Sequence, residues 1–386
     1  MISKNKNGGL APPSSEERDL HDAIWDGRWD DALTCIEAGV GTRAFSPDGS
    51  TTLMAAIESM GSLGTEAEVA AARKVALACI PHVDVRAARN DGWTALAMAC
   101  ARGEYEIIEA LAPMSSAGYR FEAGASPLML AAQSGNAPAV EAVLKLRLAG
   151  VDEKDQLGRP AILWASDGLG EDELQKLLPS DLGAWRLAEE KTLLMAAVEQ
   201  NSFNIAQALI RQRRWDEQDM EGNSALAIAA RGGNIKMLRE LVDYSDPTIV
   251  NNFGESALMQ AARGAWLRHF KEGVELLLEF CDPAQLNHEG RCALEIAIID
   301  VREFRARGLF NIEGDSLGAV EALARATTLS GKASNGEDFT TFAYRSGNEE
   351  LGRLIERVAL MQRENVEISK ASQAPKHGRR RGPRSL

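Results

Sequence analysis

The 386-residue chain predicts an all-α solenoid of about ten helix-turn-helix repeats with short turn fingers. Three observations carry that expectation. One pattern of residue types recurs along the chain at separations that are mostly 32 to 36 residues. An alanine holds the same place in every recurrence. Aromatic residues make up only 5% of a chain rich in Ala and Leu, a balance that suits close-packed helices better than a β-sandwich.

Each repeat begins at an anchor, usually a hydroxyl residue: Thr51, Thr94, Ser126, Thr192, Ser224 and Ser256. The same frame fits Arg18, Pro160, Cys292 and Asp338, which makes ten repeats, numbered here in chain order from Arg18. A Ser or Thr at this place is expected to cap a helix, its oxygen accepting from an otherwise unpaired N–H of the first turn. Two residues on stands Leu or Ile in nine repeats, with Thr340 in the tenth. Five residues on stands Ala in all ten, from Ala23 to Ala343. A small side chain there lets helices approach closely, and a larger one is expected to overpack the core. A second Leu-rich helix follows, such as Ile235–Val242. Neither helix buries its apolar face alone, so neighbouring repeats must stack.

Nine residues past the anchor, Gly27, Gly103, Gly135, Gly233 and Gly347, with Asn201, are placed to end the first helix in a left-handed conformation. Met60, Leu169, Ala265 and Val301 break the rule. Three of these four lie in repeats with inserted residues, near 61–73, 266–271 and 302–315, where the first helix is expected to run on or open into a loop.

These residues resemble the ankyrin repeat, whose core reads G-x-T-P-L-H-x-A-A. Local matches are Asp91-Gly92-Trp93-Thr94-Ala95-Leu96, Gly124-Ala125-Ser126-Pro127-Leu128-Met129-Leu130-Ala131-Ala132 and Glu221-Gly222-Asn223-Ser224-Ala225-Leu226. The resemblance covers residues 16–357, with a disordered leader at 1–15 and a basic tail at 358–386 that is disordered at its end. The first and last repeats read as atypical caps. The family favours His three past the anchor, and only His21 keeps it. Met54, Met129, Met195 and Met259 take that place in even-numbered repeats, alternating with Ala97, Leu163 and Ala227. Flexible Met filling space beside smaller neighbours predicts four buried side chains; an adaptable binding stripe predicts exposed ones.

The resemblance implies a non-catalytic module that binds a protein partner through the turn fingers and the exposed ends of the first helices, which form the concave face. Carried over residue by residue, the finger candidates are Trp93, Phe253, Arg159, Lys191, His288 and Arg291, with Met220, Asn223 and Glu255 beside them. On the first helices they are Trp25, Arg102, Arg231 and Arg263. Trp and Arg are enriched at interface hot spots, so Trp93 and Phe253 lead and Trp25 follows.

Other classes of function find little support. No phosphate-binding loop or H-E-x-x-H helix occurs, and the five His are scattered, so no cofactor, metal or catalytic residue is assigned. An enzyme with its site in the inserts is the remote alternative. Six of the 43 basic residues lie from Lys370 onward without an acid, leaving 37 against 56 acids in residues 1–369. A body this acidic repels phosphates, so the repeats are not expected to bind nucleic acid. No run of 18 apolar residues marks a membrane span. Five Cys, odd in number and without a C-x-x-C pair, point to a reducing compartment, so a cytoplasmic location is expected; the chain is separately expected to be a monomer. The tail around Arg379, Arg380, Arg381 and Arg384 resembles a nuclear-localisation segment or the Arg-rich signals of secreted bacterial effectors. A solubilising role, or contact with RNA or acidic membranes, competes with these.

Overall fold

A computed structural model describes residues 14–40, 48–115, 121–213, 215–263, 270–306 and 314–373. The leader to Pro13, most of the insert near 266–271, residues 307–313 of the insert near 302–315 and the Arg379–Arg384 tail segment lie outside them. The chain divides into two compact units, Met1–Ala188 and Glu189–Leu386. The first unit holds α1 (Ser15–Trp25), α2 (Trp29–Glu37), α3 (Thr52–Ser59), α4 (Glu66–Cys79), α5 (Ala95–Arg102), α6 (Tyr105–Leu111), α7 (Pro127–Ser134), α8 (Ala137–Lys145) and α9 (Glu171–Lys176). The second holds α10 (Leu193–Glu199), α11 (Phe203–Ile210), α12 (Ala225–Arg231), α13 (Ile235–Leu241), α14 (Ala257–Arg263), α15 (Phe270–Leu278), α16 (Ala293–Ala306), α17 (Gly314–Ala326), α18 (Phe339–Arg345) and α19 (Glu349–Gln373). The helices pair as stacked helix-turn-helix repeats.

Local chemistry starts and stops these helices as the anchors predict. The side chains of Thr51, Thr94, Ser126, Thr192, Ser224 and Asp338 each accept from the N–H three residues on. Ser256 departs, its buried hydroxyl making no hydrogen bond. Gly27, Gly103, Gly135, Gly233 and Gly347 all have φ between +65° and +79°, and Asn201 has φ +58°. A side chain at Gly135 has no room either, since a Cβ there falls 2.4 Å from Ser166 Oγ.

First helices stack in one row and second helices in another. In the first unit α1, α3, α5 and α7 pack in succession, as do α2, α4, α6 and α8. In the second unit α10, α12, α14 and α16 form one row and α11, α13, α15, α17 and α19 the other. Nine of the ten repeat alanines are buried, Ala165 excepted. Met54, Met129, Met195 and Met259 are at most 1% exposed, so they pack and do not form a surface stripe. Two of them also cap: the N–H of Ser126 donates to Met129 Sδ at 3.3 Å, and that of Thr192 to Met195 Sδ at 3.4 Å. The thioether, a weak acceptor, thus returns the bond that the anchor hydroxyl makes to the Met N–H. In repeat 9 Glu295 serves there instead, accepting from Cys292 N–H and reaching Ser334 of the next repeat at 2.7 Å.

Three departures have physical causes. In repeat 5 the first helix shrinks to a 3-10 turn, Ala161–Trp164, because Pro160 cannot cap it and Ala165 turns extended. Trp164 therefore sits half-buried on that turn and not on a buried helix face. The insert near 61–73 forms no long loop. A 3-10 turn at Met60–Ser62 extends α3, and a Thr65–Glu68 capping box starts the 14-residue α4 inside the insert. In repeat 9, lacking the stop glycine, α16 runs on through Val301 for 14 residues. The repeat boundary expected at 357 falls inside α19, where Val358 is buried. Gln362 closes the stack by bonding the Leu329 N–H and the carbonyls of Ala324 and Thr327.

Candidate interaction surface

The fingers owe their shape to their own short sequences. Five, four, three, two and one residues before the anchor run a tight hairpin. In repeat 8 Gly254 N–H bonds Asn251 O at 2.9 Å, Asn251 N–H bonds Glu255 O at 3.0 Å, and Gly254 sits at φ +74°. A type I turn followed by a left-handed Gly makes this three-residue loop. An Asp or Asn five before the anchor locks it. Asp155, Asp219, Asn251 and Asn287 each accept the N–H groups two and four residues on, at 2.8 to 3.0 Å. Sequence reading passed over this position, although the four Asx residues recur there in repeats 5, 7, 8 and 9.

Neighbouring fingers are tied main chain to main chain. In the first unit Asn90 N–H donates to Asp48 O at 2.7 Å and Gln156 N–H to Ala123 O at 2.9 Å. In the second, Met220 donates to Glu189 O, Asn252 to Glu221 O and His288 to Phe253 O, at 2.9 to 3.0 Å. Asn251 Nδ2 adds a bond to Asn223 Oδ1 at 3.0 Å. The tips are thereby presented without an ordering cost on contact, a condition that favours tight binding.

The structure sorts the candidate side chains. Phe253 is 58% exposed, Met220 66% and Trp25 55%; His288 is exposed as well. Trp25 leans on its own helix, donating from Nε1 to His21 Nε2 at 3.0 Å. Trp93 is half-buried, its ring stacked on Phe121 with centroids 6.0 Å apart and planes at 20°. It lies against the next repeat and is no free-standing exposed ring. Asn223 and Glu255, read from the sequence as finger surface, are buried at 2% exposure. Leu157, on a finger, and Leu286, just before one, are exposed residues that the sequence reading missed.

Most of the candidate cations are already engaged. Arg159 bonds Asp155 at 2.7 Å and lies over the Trp164 ring. Lys191 sits between Glu189 at 2.9 Å and Glu199 at 3.0 Å, which hold its ammonium above the usual range. Arg263 grips the buried Glu255 carboxylate with Nε and Nη2, and that hydrogen bonding raises its pKa likewise. Arg291 pairs with Glu289 at 2.7 Å, and Arg102 donates to Glu58 O at 3.0 Å. Arg231 lines a groove of about 640 Å³ with Glu199, Asn201 and Asn234. The thiols are spectators: burial pushes Cys79 to about 12 and Cys281 to about 11. Among the described residues no cluster of His, Cys, Asp and Glu is arranged to hold a metal.

Capped helix pairs, a left-handed stop and hairpin fingers in register define a helical repeat protein that shows its turn residues to solvent. The family model for ankyrin repeats in three copies matches residues 67–156 and 162–251. The chain carries ankyrin repeats over residues 67–251. No curated protein matches it. No catalytic family was identified, and no described helix is long and apolar enough to cross a membrane.

Proposed function

We propose that this chain is a non-catalytic interaction scaffold, a monomer whose fingers and first-helix ends grip a protein partner. One observation carries the reading most directly. The fingers form a hydrogen-bonded rack whose tips hold large apolar side chains, Phe253 and Met220, more than half exposed. Exposed apolar groups on a rigid frame mark contact surfaces. Ankyrin repeats are typically protein-protein interaction modules, which supports the same reading. The acidic body argues against nucleic acid as the ligand.

The test is affinity capture with quantitative mass spectrometry, comparing wild type and Phe253→Ala. A partner retained by wild type and lost by the variant, at unchanged melting temperature, supports the scaffold. Equal recovery of every protein by both removes Phe253 from the interface. Trp93→Ala is a poorer probe, because its stack on Phe121 makes a stability loss expected.

The tail supports a second reading on its own observation, six basic residues with no acid from Lys370 onward. We read Arg379, Arg380, Arg381 and Arg384 as an address for nuclear entry or for export into a host cell. Deleting residues 374–386 is expected to relocate the protein while leaving partner binding in vitro intact. Unchanged localisation leaves the cytoplasm as the site of action.

A further inference from the structure

Two large apolar side chains, Met220 and Phe253, stand exposed on finger tips of the second unit, and the charges around them select what can cover them. Met220 and Phe253 stand on adjacent fingers, and Asn252 ties those fingers together by donating from Nδ2 to Met220 O at 2.9 Å. Phe253 O in turn accepts the His288 N–H, which brings the next tip alongside. Around this strip four exposed carboxylates stand on the turns: Glu189, Glu190, Glu221 and Glu289. The tip cations, Lys191 and Arg291, are half-buried and paired with Glu189, Glu199 and Glu289, so Glu190 and Glu221 are the two of these carboxylates that meet no cation among the described residues. Glu190 also holds the place where eight other fingers have Gly, at φ +58°.

We propose that this strip docks a basic protein segment, one apolar side chain seated against Met220 and Phe253 and flanking Lys or Arg side chains meeting Glu190 and Glu221. This rests on the scaffold reading above and adds the chemistry of the partner. Apolar contact supplies the anchor, while complementary charge sets specificity and association rate. An acidic segment is repelled by the same rim, and a second copy of this acidic chain meets like charge.

The experiment is selection from a random-dodecamer phage library on the immobilised full-length chain, then anisotropy with the leading peptide made synthetically. Enriched sequences are expected to carry an aromatic or aliphatic residue beside at least two Lys or Arg. Phe253→Ala is expected to weaken the peptide about tenfold or more. Glu221→Lys is expected to weaken it several-fold, with weaker binding at high salt. Glu190→Gly separates structure from recognition: stability is kept or raised as the backbone strain is relieved, while peptide affinity falls. Each variant is first checked for an unchanged circular dichroism spectrum. Enrichment of acidic peptides, or basic peptides indifferent to all three substitutions, overturns the proposal. So does a sedimentation-detected dimer that Phe253→Ala dissolves. Peptides lost only on Trp25 or Arg102 substitution leave the scaffold standing and move the site; enrichment of nothing at all counts against both.

Discussion

Repeats 4 and 5 are neighbours in the first unit, and they solve the same packing problem differently. Repeat 4 has every local signal: Ser126 caps, Pro127 opens the first turn, Ala131 is fully buried and Gly135 closes at φ +74°. Its first helix runs eight residues. Repeat 5 keeps Ile162 and Ala165 but has Pro160 at the anchor and Leu169 at the stop, and forms only a four-residue 3-10 turn. Side-chain bonds replace the lost helix. Asp155, with a fully buried side chain, accepts from the N–H groups of Leu157 and Arg159, from Arg159 Nε and from Trp164 Nε1. Asp152 takes both the N–H and hydroxyl of Ser180, and Ser166 N–H bonds Ala132 O of repeat 4. The recurring alanine is thus insufficient for the repeat helix; the cap and the stop decide it.

The comparison breaks most sharply at Asp155. Asp155→Ala leaves Arg159 and Trp164 without their buried acceptor and is expected to cost about 3 kcal/mol in urea unfolding. A loss under about 1 kcal/mol shows that backbone turns alone hold repeat 5. Next comes the paired test at the alanines. Ala131→Leu is expected to cost about 2 kcal/mol by overpacking, and Ala165→Leu, half-buried, under about 1 kcal/mol. Equal costs contradict the difference in packing drawn here.

A third test concerns the caps. Ser126→Ala is expected to cost about 1 kcal/mol, whereas Pro160→Ser changes stability by under about 0.5 kcal/mol, since the extended Ala165 still ends the turn. A clear gain in helicity from Pro160→Ser in far-ultraviolet circular dichroism shows the proline alone to be the cause. The smallest effect is a pH dependence. The Ser180 hydroxyl and N–H hold the Asp152 carboxyl below its ordinary range. A depressed folded pKa means the contribution is complete above the unfolded Asp value, about 3.9, and fades as pH falls through the lower folded value. Solvent screening keeps it under about 1 kcal/mol. Asp152→Asn is expected to lower stability at neutral pH by under about 1 kcal/mol and to leave it unchanged well below about pH 4, which flattens the acid limb of the stability curve.

The parts legible in the sequence share one property. Caps act over three residues, as from Ser126 to Met129, and stops such as Gly103 or Asn201 act on the helix just ended. The buried Met positions followed from the period, as did the alanines. The candidate surface was legible as a set of places and less so as a set of free groups. Phe253, Met220 and Trp25 are exposed where expected, while Asn223 and Glu255 are buried and Trp93 is stacked. Arg263 reads as a contact residue until Glu255 is found gripping it.

By itself the sequence determined the repeat, its period, its capped starts and its left-handed stops, because those signals are interactions among residues within about one helix length. The tertiary structure alone decided which finger charges remain available and which rings lie flat. Their partners come from other repeats or across a folded finger: Arg102 meets the Glu58 carbonyl 44 residues away, Asp152 meets Ser180 28 away, and Trp93 meets Phe121 of the next repeat. The collapse of repeat 5 belongs with the local signals, since Pro160 and Leu169 stand at its cap and stop and the four donors that Asp155 gathers lie within nine residues of it. Burial and pairing depend on three-dimensional neighbours, and a one-dimensional period says where a residue sits without saying what faces it.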